Sequence, residues 1–306
     1  MAEGTAPPQV TELAERRAAA REARDYAEAD RLRDQIADAG WQVLDDPAGW
    51  QLTPATPVAP GPLRAAEVTS VLLEPATADL SVHWVVEGWP QDVARGIASF
   101  RAHQGVRRVH HVVADVTGAD VETFGTDVEV VSLEPGTGWG AACNAGLRRA
   151  CGTVVFVMDG SVEVTGDVFT PLEDALRDRA VGLAGPFGIL THDLRQFEDS
   201  PAPGDCDAVE GYFIAMRREV LTDVGLFDEK FKWYRTADIE FSFRVKDHGL
   251  RTVVVPVPVI KHTHRMWFET EPAERAKWSK RNFYRFLDRW RDRWDLVLEP
   301  EPRPPE

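Results

Sequence analysis

Four short runs dominated by valine, separated by helix-like stretches, constrain this chain more than any other feature. Val82 to Val86, Val109 to Ala114, Val128 to Leu133 and Val154 to Met158 are largely apolar, as strands buried on both faces are. Between them Pro90 to His103 and Gly138 to Ala150 read as helices, and Asp167 to Arg177 follows as another. This alternation predicts an α/β fold of three layers around a largely parallel sheet, with ligands bound beyond the carboxyl ends of the strands. With 306 residues, 43% of them hydrophobic and 9% aromatic, the chain can bury a sizeable core in one or two domains.

The pattern begins only after a linker, Thr53 to Pro62, where four prolines in ten residues remove amide donors and favour extended backbone. The expected organisation is a small module over 1–53, a Pro-rich linker over 54–66, the α/β domain over 67–270, and a helix with an acidic, proline-rich tail over 271–306. In the first module Leu13 to Ala23 and Tyr26 to Ala39 read as a helical hairpin, with Ala29, Leu32 and Ile36 at helical spacing and Gly40 as a cap. Trp41 to Leu44 and Trp50 to Leu52 read as short strands around Asp45-Asp46-Pro47-Ala48-Gly49. Near the other end, Glu274 to Trp294 reads as an amphipathic helix. Its stripe is Trp278, Phe283, Phe286, Leu287, Trp290 and Trp294, surrounded by basic side chains. Packing against the α/β domain is the expected use of that stripe; a membrane interface or a lipid-linked acceptor is the alternative.

The balance of 35 basic to 50 acidic side chains, net −15, argues against broad attraction to nucleic acid phosphates or anionic lipid. Cys143, Cys151 and Cys206 are odd in number and lack metal-ligand spacing, which excludes a disulfide framework and a zinc ribbon and favours a reducing, cytoplasmic setting. No apolar run approaches the roughly 20 residues of a membrane span, and the N-terminus has no secretory signal pattern.

Acidic residues recur where the strands end: Glu87 after the first, Asp115 and Asp120 after the second, Asp159 and Glu163 after the fourth. Taken singly, each fits a turn or helix-capping role. The surrounding motifs point further. Gly138-Trp-Gly-Ala-Ala-Cys-Asn-Ala-Gly146 with Arg148 to Asp159, Gly211-Tyr-Phe-Ile-Ala-Met-Arg-Arg218, Val224 to Tyr234, Ala237-Asp-Ile-Glu-Phe-Ser-Phe-Arg244 and finally His262 resemble family 2 glycosyltransferases over roughly Leu80 to Arg265. The resemblance implies the GT-A fold and transfer of a sugar from a nucleoside-diphosphate sugar to an acceptor, a glycan or a lipid-linked molecule among the candidates. Asp238 matches the general base, whose single displacement would invert the anomeric centre. Asp115 matches the nucleobase-binding position, with Glu87 and Asp120 in the same pocket. Asn144, Asp159 and Ser161 fall at donor-binding positions, and Gly211, Trp233 and Tyr234 at the acceptor side. The resemblance implies a divalent cation, Mg²⁺ or Mn²⁺, held by Asp159 and His262. His264, two residues on, would face the same way in an extended segment and could share the ion, and the basic face of the C-terminal helix offers Lys280 or Arg281 to the diphosphate.

Three positions depart from the family pattern. Ser161 stands where a second acid is usual, Ala237 replaces the acid before Asp238, and Cys143 replaces an arginine. These losses support an alternative, a GT-A domain that binds a nucleotide-sugar or a protein partner without turnover. Separately, Ala20 to Leu52 resembles the C-terminal segment of cysteinyl-tRNA synthetases; a protein-contact scaffold is expected of this acidic copy in preference to tRNA binding.

Overall fold

The computed structural model describes residues 6–39, 41–46, 49–54, 61–200 and 202–301. The expected cap at Gly40, the turn residues Pro47 and Ala48, most of the linker and the end of the tail lie outside them. The chain divides into two compact units, Met1–Gly61 and Pro62–Glu306.

In the first unit, helices α1 (Pro8–Glu22) and α2 (Tyr26–Asp38) precede an antiparallel pair, β1 (Trp41–Asp46) and β2 (Gly49–Pro54). The helical spacing is realised, since Ala29, Leu32 and Ile36 are buried, as are Val10 and Ala14. Helix α1 starts ahead of the expected Leu13 because Pro8 supplies a backbone angle suited to the first turn. Arg17 is buried yet paired, its two guanidinium nitrogens each 2.8 Å from an Asp45 oxygen.

The second unit runs β3 (Ala78–Val86), α3 (Pro90–His103), β4 (Val109–Asp115), β5 (Val128–Ser132), α4 (Trp139–Leu147), β6 (Gly152–Met158), β7 (Val162–Val164), α5 (Phe169–Arg177) and β8 (Val181–Gly185). A strap of short strands follows: β9 (Gly188–Leu190), β10 (Glu198–Asp199), β11 (Gly204–Asp205) and β12 (Ala208–Val209). Then come β13 (Phe213–Arg217), α6 (Val220–Asp223), α7 (Ala237–Asp247), β14 (Arg251–Val254), β15 (Val259–Lys261), α8 (Arg265–Glu269) and α9 (Pro272–Trp290). The main sheet has the order β11-β14-β8-β13-β6-β3-β4-β5.

The four valine-rich runs form the parallel block β6-β3-β4-β5. Six of the eight strands run the same way, as the largely parallel expectation has it, and two oppose them: β13 runs antiparallel to both β6 and β8, and β11 to β14. The cause is the strap. Strand β8 delivers the chain to the end of the sheet where the parallel strands finish, the strap keeps it there, and β13 therefore enters the sheet from that end.

One face of the sheet is filled by aromatic rings, with Phe100 edge-on to Trp84, Phe169 and Phe213 at centroid distances of 5.7–6.1 Å. Helix α9 docks on α7 through Phe286 and Trp290, both buried, the former edge-on to Phe243 at 5.1 Å. Each such ring contributes on the order of 2–3 kcal/mol. Arg289 adds a 3.0 Å bond to the buried Glu240. Packing against the domain is thus what this stripe does. Among the described residues no helix is long and apolar enough to cross a membrane.

Candidate active site

Because β6 and β13 are antiparallel, the end of one lies beside the start of the other, with Phe213 opposite Met158. The Asp159 amide donates to the Tyr212 carbonyl at 3.0 Å. One residue earlier, the Gly211 amide donates to Asp238 Oδ2 at 2.7 Å. A single backbone step therefore ties Asp159, at the end of β6, to Asp238, in the first turn of α7. A Cβ on residue 211 would lie 3.3 Å from Asp238 Oδ2, so glycine permits this approach.

Both carboxylates line a cavity of about 670 Å³, together with Gly211, Tyr212, Tyr234 and His264. Helix α9 closes part of it through Ser279, Lys280, Phe283 and Tyr284; Arg281 does not line it. A smaller neighbouring cavity of about 60 Å³ is lined by Glu87, Trp89, Asp159 and His264. Two non-glycine residues at this edge hold left-handed backbone, Trp89 (φ 51°) before α3 and Thr236 (φ 72°) before α7. Such conformations cost about 1–3 kcal/mol each and persist only where the surroundings impose them.

The electrostatics divide the acids. Burial tends to raise Asp159, but His264 Nε2 at 3.1 Å from Oδ2, with the Ser161 hydroxyl and amide on Oδ1, holds it below the usual carboxylate range. Ser161 thus replaces a second negative charge with a donor that stabilises the first. Glu87 goes the other way: burial, then the neighbouring Asp159, pushes it up to about 8, so it carries a proton at neutral pH. Burial also raises Asp238, against the opposing bonds from the Gly211 and Ile239 amides. Two aromatic residues flank His264, Tyr234 at 4.6 Å and Tyr212 at 5.5 Å between ring centroids.

Several expected residues sit elsewhere. His262 turns away from Asp159; its Nε2 is 2.7 Å from Glu163 Oε2, and His264 takes the place at Asp159. Asn144 is buried and pins α4 to a loop, donating to Phe227 O at 2.8 Å and accepting from Phe227 N at 2.9 Å, and it lines neither cavity. Asp115 caps its own loop, accepting from the Thr117 amide and hydroxyl and the Ala119 amide, and Asp120 caps a short turn at Glu122. Neither lines either cavity. Trp233 is buried against Tyr234 and is not on the cavity wall. Cys143 is a buried thiol raised by burial and by Glu87, without charge at neutral pH.

Tyr212, Glu210, Trp139 and Asn282 were not anticipated. Tyr212 directly follows the anticipated Gly211. Asn282, fully buried, donates at 2.8 Å to the carbonyls of both Trp233 and Arg235, which fixes the loop entering α7. A polar residue inside the apolar stripe of α9 was its only trace in the sequence.

For a divalent cation the residues offer half a site. Asp159 and His264 converge, and the buried His264 Nδ1 lacks a hydrogen-bond partner among the described residues. No group of three or more His, Cys, Asp or Glu among the described residues could enclose an ion. That set suits an ion completed by diphosphate oxygens and water, as Mg²⁺-type sites commonly are.

Residues 200–284 match the family model described as Glycosyltransferase like family 2, and residues 4–51 that described as Cysteinyl-tRNA ligase anticodon binding domain. Among solved structures, GalNAc-T7 with UDP, GalNAc and Mn²⁺ is similar with a TM-score of 0.57 at 18% identity, covering 71% of this chain and 49% of that one. Mannosyltransferase PcManGT from Pyrobaculum calidifontis, in complex with GDP-Man and Mn²⁺, is similar with a TM-score of 0.53 at 17% identity, covering 75% and 71%. A cysteine–tRNA ligase of Opitutus terrae is 55% identical over 49 residues, 16% of this chain and 11% of the ligase. The chain thus spans about half the length of GalNAc-T7 and a small part of the ligase. The fold is the GT-A fold of glycosyltransferases. Within it, residues 200–284 form a family 2-like glycosyltransferase segment, and the N-terminal segment is similar to the end of cysteinyl-tRNA ligases.

Proposed function

We propose that this chain transfers a sugar from a nucleoside-diphosphate sugar to an acceptor hydroxyl, with inversion at the anomeric carbon. The observation that carries the reading is the placement of Asp238 and Asp159 on one cavity wall, joined through Gly211 and Tyr212. Asp238 is the base: it accepts the acceptor's proton as that oxygen bonds to the anomeric carbon and the bond to the diphosphate breaks. Its raised pKa improves proton affinity while the two amides keep it oriented. Asp159 and His264 would hold the cation, which when bound neutralises charge on the leaving diphosphate. Lys280 and Arg235 line the same cavity and add positive charge. Tyr212 and Tyr234 offer ring faces and edges to a sugar.

The test is Asp238→Asn against wild type with UDP-, GDP-, dTDP- and CDP-sugars, with and without Mn²⁺. Turnover is expected to fall by about 10²–10⁴-fold while donor Kd stays nearly constant. An unchanged rate removes Asp238 from the chemistry. Tight donor binding by a wild-type chain that forms no product supports the binding-only alternative, which the Gly160-Ser161 pair favours.

A further inference from the structure

A second cluster of reactive side chains lies at the opposite end of the same strands. Cys151 immediately precedes β6, and Asp159 immediately follows it, so the two are roughly 25 Å apart at strand rise. Cys151 Sγ is 3.2 Å from His110 Nδ1, and His110 Nε2 is 3.0 Å from Glu129 Oε2. Arg149 Nε donates to Glu129 Oε1 at 2.5 Å. Strands β4 and β5 and the lead into β6 thus set thiol, imidazole and carboxylate in line. Cys151 is half-buried and, with His110, Glu129, Arg149, Glu74 and Thr77, lines a cavity of about 230 Å³.

In the neutral imidazole the partners select one tautomer. Burial tends to raise Glu129, but bonds from His110 and Arg149 hold it below its ordinary range, so it is an ionised acceptor. His110 Nε2 must then carry the proton, which leaves Nδ1 as the acceptor facing the thiol. The Ser81 hydroxyl, 3.4 Å from Nδ1, is a longer competing donor.

The surroundings also select the chemistry. Acyl transfer needs free amide donors at the nucleophile to stabilise an oxyanion. Here the Cys151 and Gly152 amides both donate to Ser81 Oγ, at 3.0 and 2.8 Å. Thiol–disulfide exchange needs no such donors, only a thiolate and a proton for the leaving sulfur. We propose that Cys151 is a nucleophilic thiol, activated by His110 with Glu129 positioning the imidazole, that forms a mixed disulfide with a low-molecular-weight disulfide. His110 Nδ1 takes the thiol proton. The Cys151 sulfur then bonds to one sulfur of the disulfide, the S–S bond breaks, and the departing thiolate recovers the proton from His110.

The full chain is incubated with oxidised glutathione at pH 7, with intact-mass and peptide readout. One glutathione is expected on Cys151, added about tenfold or more faster than on the urea-unfolded chain and reversed by dithiothreitol. Cys143 and Cys206, both buried, serve as internal controls. His110→Gln is expected to reduce the rate about tenfold, and Glu129→Gln to move the pH–rate profile while leaving the folded far-UV spectrum unchanged. Modification no faster than in the unfolded chain, addition at the other cysteines first, or an undiminished rate in His110→Gln would overturn the proposal and leave the contact as a structural hydrogen bond.

Discussion

His83 and His111 are buried in neighbouring strands β3 and β4, and neither ring has a hydrogen-bond partner among the described residues. Burial pushes His83 down to about 3; burial, with Arg101 nearby, pushes His111 down to about 4. A base whose pKa is lower folded than unfolded binds protons preferentially when the chain unfolds. The stability it contributes is present above pH 6.5 and is lost as pH falls towards 4 and 3, by up to about 1.4 kcal/mol per pH unit for each ring. Glu87 acts oppositely: being raised to about 8, it favours the folded state below pH 4.5 and loses that contribution as pH rises to 8. Comparing a variant with wild type separates these effects. His111→Phe keeps the edge contact with Phe100 and removes one titrating ring. Urea denaturation between pH 4.5 and 6.5 should then show a pH slope smaller by about one proton; equal slopes in the two proteins would contradict the assignment.

Helix α9 shows how an element far along the chain builds a site it does not itself populate with acids. Asn282→Ala removes both bonds to the loop carbonyls of Trp233 and Arg235, at an expected cost of about 2 kcal/mol. If that loop sets the approach to Asp238, turnover should fall roughly tenfold while donor Kd changes little. Loss of stability with unchanged turnover at a temperature where the variant is folded would mean that α9 only braces the domain. This contact marks a boundary of what the sequence reveals. The parallel strands were legible because burial on both faces leaves a direct signature in valine. The direction of β13 was not, since it is decided by a strap of strands two or three residues long that carry no periodicity. His262 and His264 illustrate the same limit. An extended segment would point both the same way, but β15 ends at Lys261 and α8 begins at Arg265, so the backbone turns between them. His262 stays with Glu163 near the β7–β15 ribbon, and His264 swings to Asp159. That Asp238 sits at the start of a helix was legible from its motif, whereas the amides that hold it come from Gly211 and from its own helix.

At the scale of the whole chain, the two units have separate cores. That of Met1–Gly61 centres on Val10, Ala14 and Ile36 with Trp41, Val43, Trp50 and Leu52 partly buried around them, while Pro62–Glu306 contains the large aromatic and aliphatic clusters of the main sheet. A domain of about 60 residues buries a smaller fraction of its surface than one of about 250, so its melting is expected first. The small unit also carries 6 Lys/Arg against 11 Asp/Glu, and Arg17 and Arg21 are both engaged by Asp45. That charge pattern opposes phosphate binding, whatever the likeness to a tRNA ligase segment. Calorimetry of the full chain should therefore show two transitions, and a chain beginning at Pro62 should lose the lower one and keep the upper one within about 2 °C, because a shift of that size corresponds to less than about 1 kcal/mol for a domain this large. A single cooperative transition in the full chain, displaced when residues 1–61 are removed, would show instead that the tRNA-ligase-like module and the GT-A domain stabilise one another.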